Sequence, residues 1–211
     1  SAGFGQGLYT SWFNLNPTIN GATYTPNQLT IGNAYNTEAL YWNSDNTVKG
    51  AISLYGGTVS LSANMTSSAT GDIWIQGNNT GNTVIEATSI KSKTGGALSN
   101  ITFRANGRIT LGNSLINATN NGGANVILWS DYGNSNTGGV SSAGSINTNG
   151  GHVWIGGSST ANGTLTWNGL TVGDGGSVGA NGANWNAMDV AGNITTNGGD
   201  VLLWVGSAYS T

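Results

Sequence analysis

Cysteine is absent from this 211-residue chain. That excludes disulfides and thiolate metal sites and leaves backbone pairing and stacked side chains to hold the fold. Charge is almost absent as well: 6% of residues are charged, with a formal net charge of -3 and a pI near 4.7. Such a balance argues against nucleic acid as a partner, because phosphate neutralisation needs clustered Lys and Arg. Four of the five basic residues, Lys91, Lys93, Arg104 and Arg108, fall close together, and a solvated strand face is the expected place for them. No apolar run reaches the roughly 18 residues of a transmembrane helix. No charged and apolar leader opens the chain, and Ser1-Ala-Gly-Phe reads as a mature or excised start. A helix-period segment with a cap is nowhere to be found either.

What fills the chain is glycine, 36 of them, with Asn, Ser and Thr. In bulk this composition suggests disorder. The 8 Trp and 7 Tyr, set beside Val and Ile in short alternating runs, argue for strands instead. One stretch is written twice. Gly144-Ser-Ile-Asn-Thr-Asn-Gly-Gly-His-Val-Trp-Ile155 returns as Gly192-Asn-Ile-Thr-Thr-Asn-Gly-Gly-Asp-Val-Leu-Leu203, which reads as strand, polar corner, strand. Gly-Gly pairs at Gly56, Gly95, Gly122, Gly150 and Gly198 are 39, 27, 28 and 48 residues apart. The last interval is read as two rungs with one corner disguised, and the repeat as a β-solenoid of about six to eight rungs, roughly 30 to 40 Å long. Strands are expected from Ala51 to Tyr55 through Asp200 to Val205, the pair Thr164 to Trp167 and Leu170 to Val172 included. A two-sheet β-sandwich is the alternative, since short strands with Gly turns also suit it.

The runs Gly122 to Asp131, Ile146 to Gly157 and Trp167 to Asp174 resemble repeats of large bacterial exoproteins of the filamentous haemagglutinin type. The resemblance covers residues 95 to 211 well and 1 to 50 poorly. It implies a right-handed parallel β-helix, secretion through an outer-membrane partner pore, and adhesion or filament formation at the bacterial surface. The amino-terminal secretion domain of such exoproteins is not seen here, which would make this chain a segment or a shorter relative.

Two regions follow: an aromatic N-terminal cap or subunit junction over residues 1–48, and β-solenoid rungs over 49–211. Uncovered solenoid ends expose strand edges and apolar core, so a cap is expected at the first rung. The near-terminal second copy suggests an uncapped last one. Head-to-tail association with further copies of the chain is the expected partner arrangement. Phe4, Trp12, Phe13, Trp42, Trp167, Trp185 and Trp204 are the candidate junction or glycan contacts. Trp74, Trp129, Trp154 and Trp204 sit among Val, Ile or Leu and read as core or a stacked face.

Catalysis finds little footing. His152 is the only histidine, and the repeat places Asp200 at its equivalent position, which reads as a solvent-facing turn with no base to complete a triad. The eight carboxylates are scattered over different rungs, and a polysaccharide-active enzyme would need two in one groove. Asp131 to Gly138 looks loosely like a calcium loop but lacks its spacing and terminal Glu, and Gly173 to Gly179 lacks the Lys and helix of a phosphate loop. Both read as turns. Sequons at Asn64, Asn78, Asn100, Asn117, Asn162 and Asn193 are no more frequent than the composition gives by chance. The expectation is a non-catalytic, extracellular structural or adhesive protein without metal or cofactor. A carbohydrate- or ice-binding module on Thr and Asn ladders is the first alternative, and a polysaccharide-active β-helix the second.

Overall fold

The computed structural model describes residues 7–78, 85–88, 91–112, 116–118, 123–177 and 187–206. These form three parallel sheets whose strands step in register from one turn of the chain to the next, a parallel β-helix. The sandwich alternative falls with this, because consecutive strands enter different sheets and each pairs in parallel with the strand one turn away. Among the described residues no helix is long and apolar enough to cross a membrane.

Each coil supplies one strand to each sheet, in the order sheet 1, sheet 2, sheet 3. Coil 1 contributes Leu29–Ile31, Leu40–Trp42 and Asn46–Val48; coil 2, Ile52–Gly56, Val59–Leu61 and Met65–Ser67; coil 3, Ile73–Gly77, Ile85–Ala87 and Lys91–Lys93. Coil 4 contributes Ser99–Ala105, Arg108–Leu111 and Ile116–Ala118; coil 5, Ala124–Trp129, Gly139–Ser142 and Ile146–Asn147; coil 6, Val153–Gly156, Met188–Val190 and Ile194–Thr195. Val201–Leu203 then opens a seventh coil on sheet 1. Regular coils thus begin at Leu29, some twenty residues before the expected boundary at 49. Six steps of about 4.8 Å make a rod about 29 Å long.

Alternation drives the closure. Along most strands every second side chain turns inward, so identical positions stack from coil to coil. On sheet 1 the inner columns run Leu29, Ile52, Ile73, Ile101, Val126, Val153, Val201 and Ile31, Leu54, Ile75, Phe103, Leu128, Ile155, Leu203. From Ile52 to Ile155 all of these are fully buried. β-Branched and aliphatic side chains fit such columns because each methyl meets its own copy one strand away.

The twice-written motif is the clearest local cause. Asn149 and Asn197 hold φ of 50° and 55°, and Gly150 and Gly198 hold 101° and 117°, so each Asn-Gly pair turns the corner in a region that β-carbon-bearing residues other than Asn avoid. The second glycine answers a different need. A β-carbon on Gly199 would run into the Gly151 carbonyl, and one on Gly151 into that of Ala124, so stacked corners pack backbone against backbone.

The two copies stack directly, Ile146 on Ile194 and Val153 on Val201. Their 48-residue spacing is therefore one coil, not two. The surplus is an excursion in which Thr164–Trp167 and Leu170–Gly173 form an antiparallel hairpin, closed by Asn168 and Gly169 at φ 47° and 77°, the primed geometry that Asn-Gly favours. Inward-facing Leu170 and Val172 bury on the outer face of sheet 1 against Ile127, Trp129 and Trp154, making a second apolar core outside the coil.

The first coil is closed by residues 7–28. Leu8–Tyr9 adds a strand to sheet 2 beside Leu40–Trp42, and Leu8 and Leu15 pack on the core. The Asn16 carboxamide stands in for a missing strand on sheet 3: its Nδ2 donates to the Thr47 carbonyl at 2.8 Å and its Oδ1 accepts from the Thr47 amide at 2.9 Å. Asn16→Leu removes both bonds at a sheet edge and is expected to cost about 1–3 kcal/mol. Urea unfolding would measure it, and an unchanged midpoint would show that the edge needs no such cover.

Candidate functional site

The outer face of sheet 1 brings aromatic, amide and cationic side chains together. Its outward columns read Ser53, Trp74, Thr102, Ile127, Trp154, Leu202 and Tyr55, Gln76, Arg104, Trp129, Gly156. The hairpin covers the later half, where Trp129 and Trp154 are buried edge to face with ring centroids 6.4 Å apart. The hairpin leaves the earlier half uncovered, where Ser53, Tyr55, Trp74 and Arg104 are half-buried and Gln76 and Thr102 are buried. There the Arg104 guanidinium lies 4.8 Å from the Trp74 ring, 5.4 Å from Trp129 and 4.7 Å from Tyr132. Its Nη2 donates to Gln76 Oε1 at 2.7 Å, Gln76 Nε2 donates to Asn78 Oδ1 at 2.8 Å, and the Tyr132 hydroxyl donates to the same Asn78 oxygen at 3.3 Å. This network fixes the aromatic groups around one cation.

A second polar line marks the corner that leads into sheet 1. Asp72, Asn100, Asn125, His152 and Asp200 each precede the first inner residue of their strand. Asp72 Oδ1 accepts from the Asn100 amide at 2.8 Å, Asn125 Nδ2 donates to Asn100 Oδ1 at 3.0 Å, and Asn125 Oδ1 accepts from the His152 amide at 2.9 Å. His152 Nδ1 accepts from the Asp200 amide at 2.9 Å and lies 3.7 Å from Asp200 Oδ2. Equivalence between the two copies thus means adjacency: the residues that the repeat equates touch each other. The hairpin tip docks on this pair, with Trp167 edge-on to the imidazole at 5.6 Å and Asn168 Nδ2 donating to Asp200 Oδ2 at 2.7 Å. His152 is a half-buried capping residue rather than a solvent-facing turn.

The basic cluster is not a solvated face. Lys91 and Lys93 point into the interior, 0% and 1% exposed, between Met65 and Ile116 and between Ser67 and Ala118. Lys91 Nζ reaches the Leu61 and Ala63 carbonyls at 3.5 and 3.4 Å, and Lys93 Nζ bonds Ser67 Oγ at 3.1 Å and the Ala69 carbonyl. Burial pulls the Lys91 pKa down to about 7, with Asp45 opposing, and lowers that of Lys93 against the pull of Asp72. Arg108 is 8% exposed, and Arg104 is the half-buried cation already described. Charge count alone carries no hint of burial.

Three further carboxylates accept from backbone amides. Asp45 accepts from the Asn64 amide at 2.7 Å, Asp174 from the Ser159 amide at 2.7 Å, and Asp131 from the Ser135 amide and hydroxyl at 2.7 and 3.1 Å. The Asp131 to Gly138 stretch is a turn, with Asp131, Asn134 and Asn136 at positive φ. Burial raises the Asp131 pKa, opposed by hydrogen bonds from Ser135, Asn136 and Thr137. Gly175, in the glycine cluster, pairs with Gly157. Among the described residues no group of three His, Asp or Glu could hold a metal ion.

The candidate contact residues scatter. Trp42 is fully buried in the interior and donates to the Asn64 carbonyl at 3.0 Å, so it cannot meet a glycan or a second subunit. Trp12 and Phe13 are 59% and 48% exposed on the N-terminal segment. Trp167 is the half-buried hairpin tip, and Trp204 packs against the second core. Phe4 and Trp185 lie outside the described residues. Trp74, Trp129 and Trp154 lie on the outer face, and of these Trp129 and Trp154 are in ring contact. On sheet 3 the outward residues Thr47, Thr66, Ser92, Asn117, Asn147 and Thr195 make one column, with Asn147 Nδ2 bonded to Asn117 Oδ1 at 3.1 Å. It is a hydroxyl and amide column one residue wide, with one asparagine pair in it. Comparison with protein-family models, curated proteins and solved structures returns no match.

Proposed function

We propose that this chain is a non-catalytic, rigid β-helical unit of an extracellular bacterial surface adhesin or filament, and that copies associate end to end. One observation carries the reading: the seventh-coil positions that should face an interior, Val201, Leu203 and Val205, are 46%, 44% and 52% exposed. Beside them Met188, Val190 and Ile194 of coil 6 are only partly buried. Such an apolar rim over strand edges that have no partner among the described residues favours a further layer. The segment that closes the first coil carries exposed Trp12 and Phe13. Apolar docking of those rings on the rim of another copy makes a contact that does not close on itself and so propagates. Low charge and the filamentous haemagglutinin-like repeats support a surface location, and the bonding of Asp45, Asp72, Asp131 and Asp174 to backbone amides supports a structural role.

Sedimentation velocity and negative-stain microscopy over a range of concentrations test this. The parent chain is expected to form linear oligomers, and Leu203→Glu or Trp12→Ser to shift them to monomers with an unchanged far-ultraviolet spectrum. A monodisperse monomer at the highest concentration would sink the proposal.

A further inference from the structure

We propose that the half of the sheet 1 outer face left uncovered by the hairpin binds an acidic carbohydrate, one sugar ring stacking on Trp74 and its carboxylate meeting the Arg104 guanidinium. Arg104 has no carboxylate partner among the described residues, where the only ion pair is His152 with Asp200. A guanidinium offers five N–H donors in a planar fork suited to carboxylate. Among the described residues one of these finds a protein acceptor, Gln76 Oε1, and Nε is shielded without any. A half-buried cation left in this condition is completed by an anion from outside.

The surroundings select the kind of anion. Trp74, Tyr55 and Tyr132 are half-buried and present part of their flat apolar surface, while the half-buried Ser53 and Asn78 and the Tyr132 hydroxyl present polar groups beside them. Trp, Tyr and Arg in one cluster are the residues that dominate binding energy at recognition surfaces. A pyranose matches this mixture, with an apolar ring face and hydroxyls at its edge. Nucleic acid does not: Lys91 and Lys93 are interior and Arg108 is 8% exposed, which leaves no track of cations for successive phosphates. An extended peptide adding a strand would use a sheet edge, whereas these side chains lie on a face. The site is on the flank of the rod, so it is independent of end-to-end association and each can fail alone.

Titration of the full chain with trigalacturonate, followed by calorimetry and tryptophan emission, is the test. Maltotriose serves as the neutral control and a sulfated trisaccharide as the other acidic source. Saturable binding of trigalacturonate is expected, at least about tenfold tighter than maltotriose and tighter than the sulfated sugar, weakening with salt. Arg104→Gln is expected to abolish the preference for the acidic sugar, and Trp74→Thr to weaken all binding by about tenfold or more. Thr at 74 would continue the small outward residues Ser53 and Thr102 on either side, so the strand keeps its fit. Should Arg104→Gln lose its cooperative unfolding transition, Arg104→Lys keeps the charge without the planar fork and is expected to retain part of the preference. Equal affinity for acidic and neutral sugars, unchanged binding in Arg104→Gln, preference for the sulfated sugar, or no saturation by millimolar concentrations each overturns the proposal.

Discussion

A Lys91→Met chain resists denaturation better than the parent at neutral pH, and it loses the parent's rise in stability between pH 7 and pH 10.5. The cause is where the ammonium sits. Lys91 is 0% exposed in a column with Met65 and Ile116, and burial takes its pKa from 10.5 to about 7. A lowered lysine pKa means that the folded chain binds the proton less tightly than the unfolded one. Between the two values the unfolded state carries more protons, so stability climbs as pH rises through that window and is lowest below it. If the whole shift is realised, the penalty below pH 7 is about 5 kcal/mol.

Methionine has a similar length, needs no solvation and fills irregular space. Exchanging a buried charge for a packed apolar group commonly gains about 1–4 kcal/mol. The exchange does not strand the Leu61 carbonyl, which already accepts from the Thr88 amide at 3.1 Å. Lys93→Met should gain less, because it gives up the bond to Ser67 Oγ at 3.1 Å. Guanidinium melts of parent and variant at several pH values between 6.5 and 10.5 decide the matter. A parent whose stability is flat across that range, or a variant less stable at pH 7, would show that the lysine is held neutral or solvated without cost.

The strands of this fold are legible where aliphatic residues alternate, as at Ile52–Gly56 and Ala124–Trp129, because that alternation is what closes the coil. Met65–Ser67 and Lys91–Lys93 are not, since neither has the pattern; only their register against each other and against Asn46–Val48 and Ile116–Ala118 makes them strands. Asn-Gly is the more informative sign. Between Thr164–Trp167 and Leu170–Gly173, and again between Thr18–Ile19 and Ala22–Thr23, it marks an antiparallel hairpin, and it turns the 48-residue interval from two coils into one. The Arg104 cluster is beyond such reading: Trp74, Trp129 and Tyr132 are each more than twenty residues from Arg104 in sequence, and stacking alone brings the rings onto its guanidinium. Stacking also turns the equivalence of His152 and Asp200 into contact.

Replacing residues 158–174 by a two-residue Asn-Gly turn is expected to leave the β-helix folded while exposing the aromatic face beneath the hairpin. Gly157 and Gly175 already exchange both backbone hydrogen bonds, at 3.0 and 3.3 Å, so the chain can be closed there by the shortest antiparallel connection. The inner columns of coil 6 and the strand Val201–Leu203 do not draw on the excised residues. What is lost is the burial of Leu170 and Val172 over Trp129 and Trp154, worth about 3–6 kcal/mol for two side chains, and the bond from Trp129 Nε1 to Ser158 Oγ at 2.9 Å. Tryptophan emission should move to longer wavelength and a hydrophobic dye should bind, with the far-ultraviolet β signal kept. Outright unfolding would mean that coil 6 cannot close without its excursion. If the fold survives with its tryptophans still shielded, another segment covers that face. On the expected result the hairpin divides the sheet 1 face into a sealed half around Trp154 and a half around Trp74 and Arg104 that it leaves uncovered, and so sets where on the rod a ligand can reach aromatic surface.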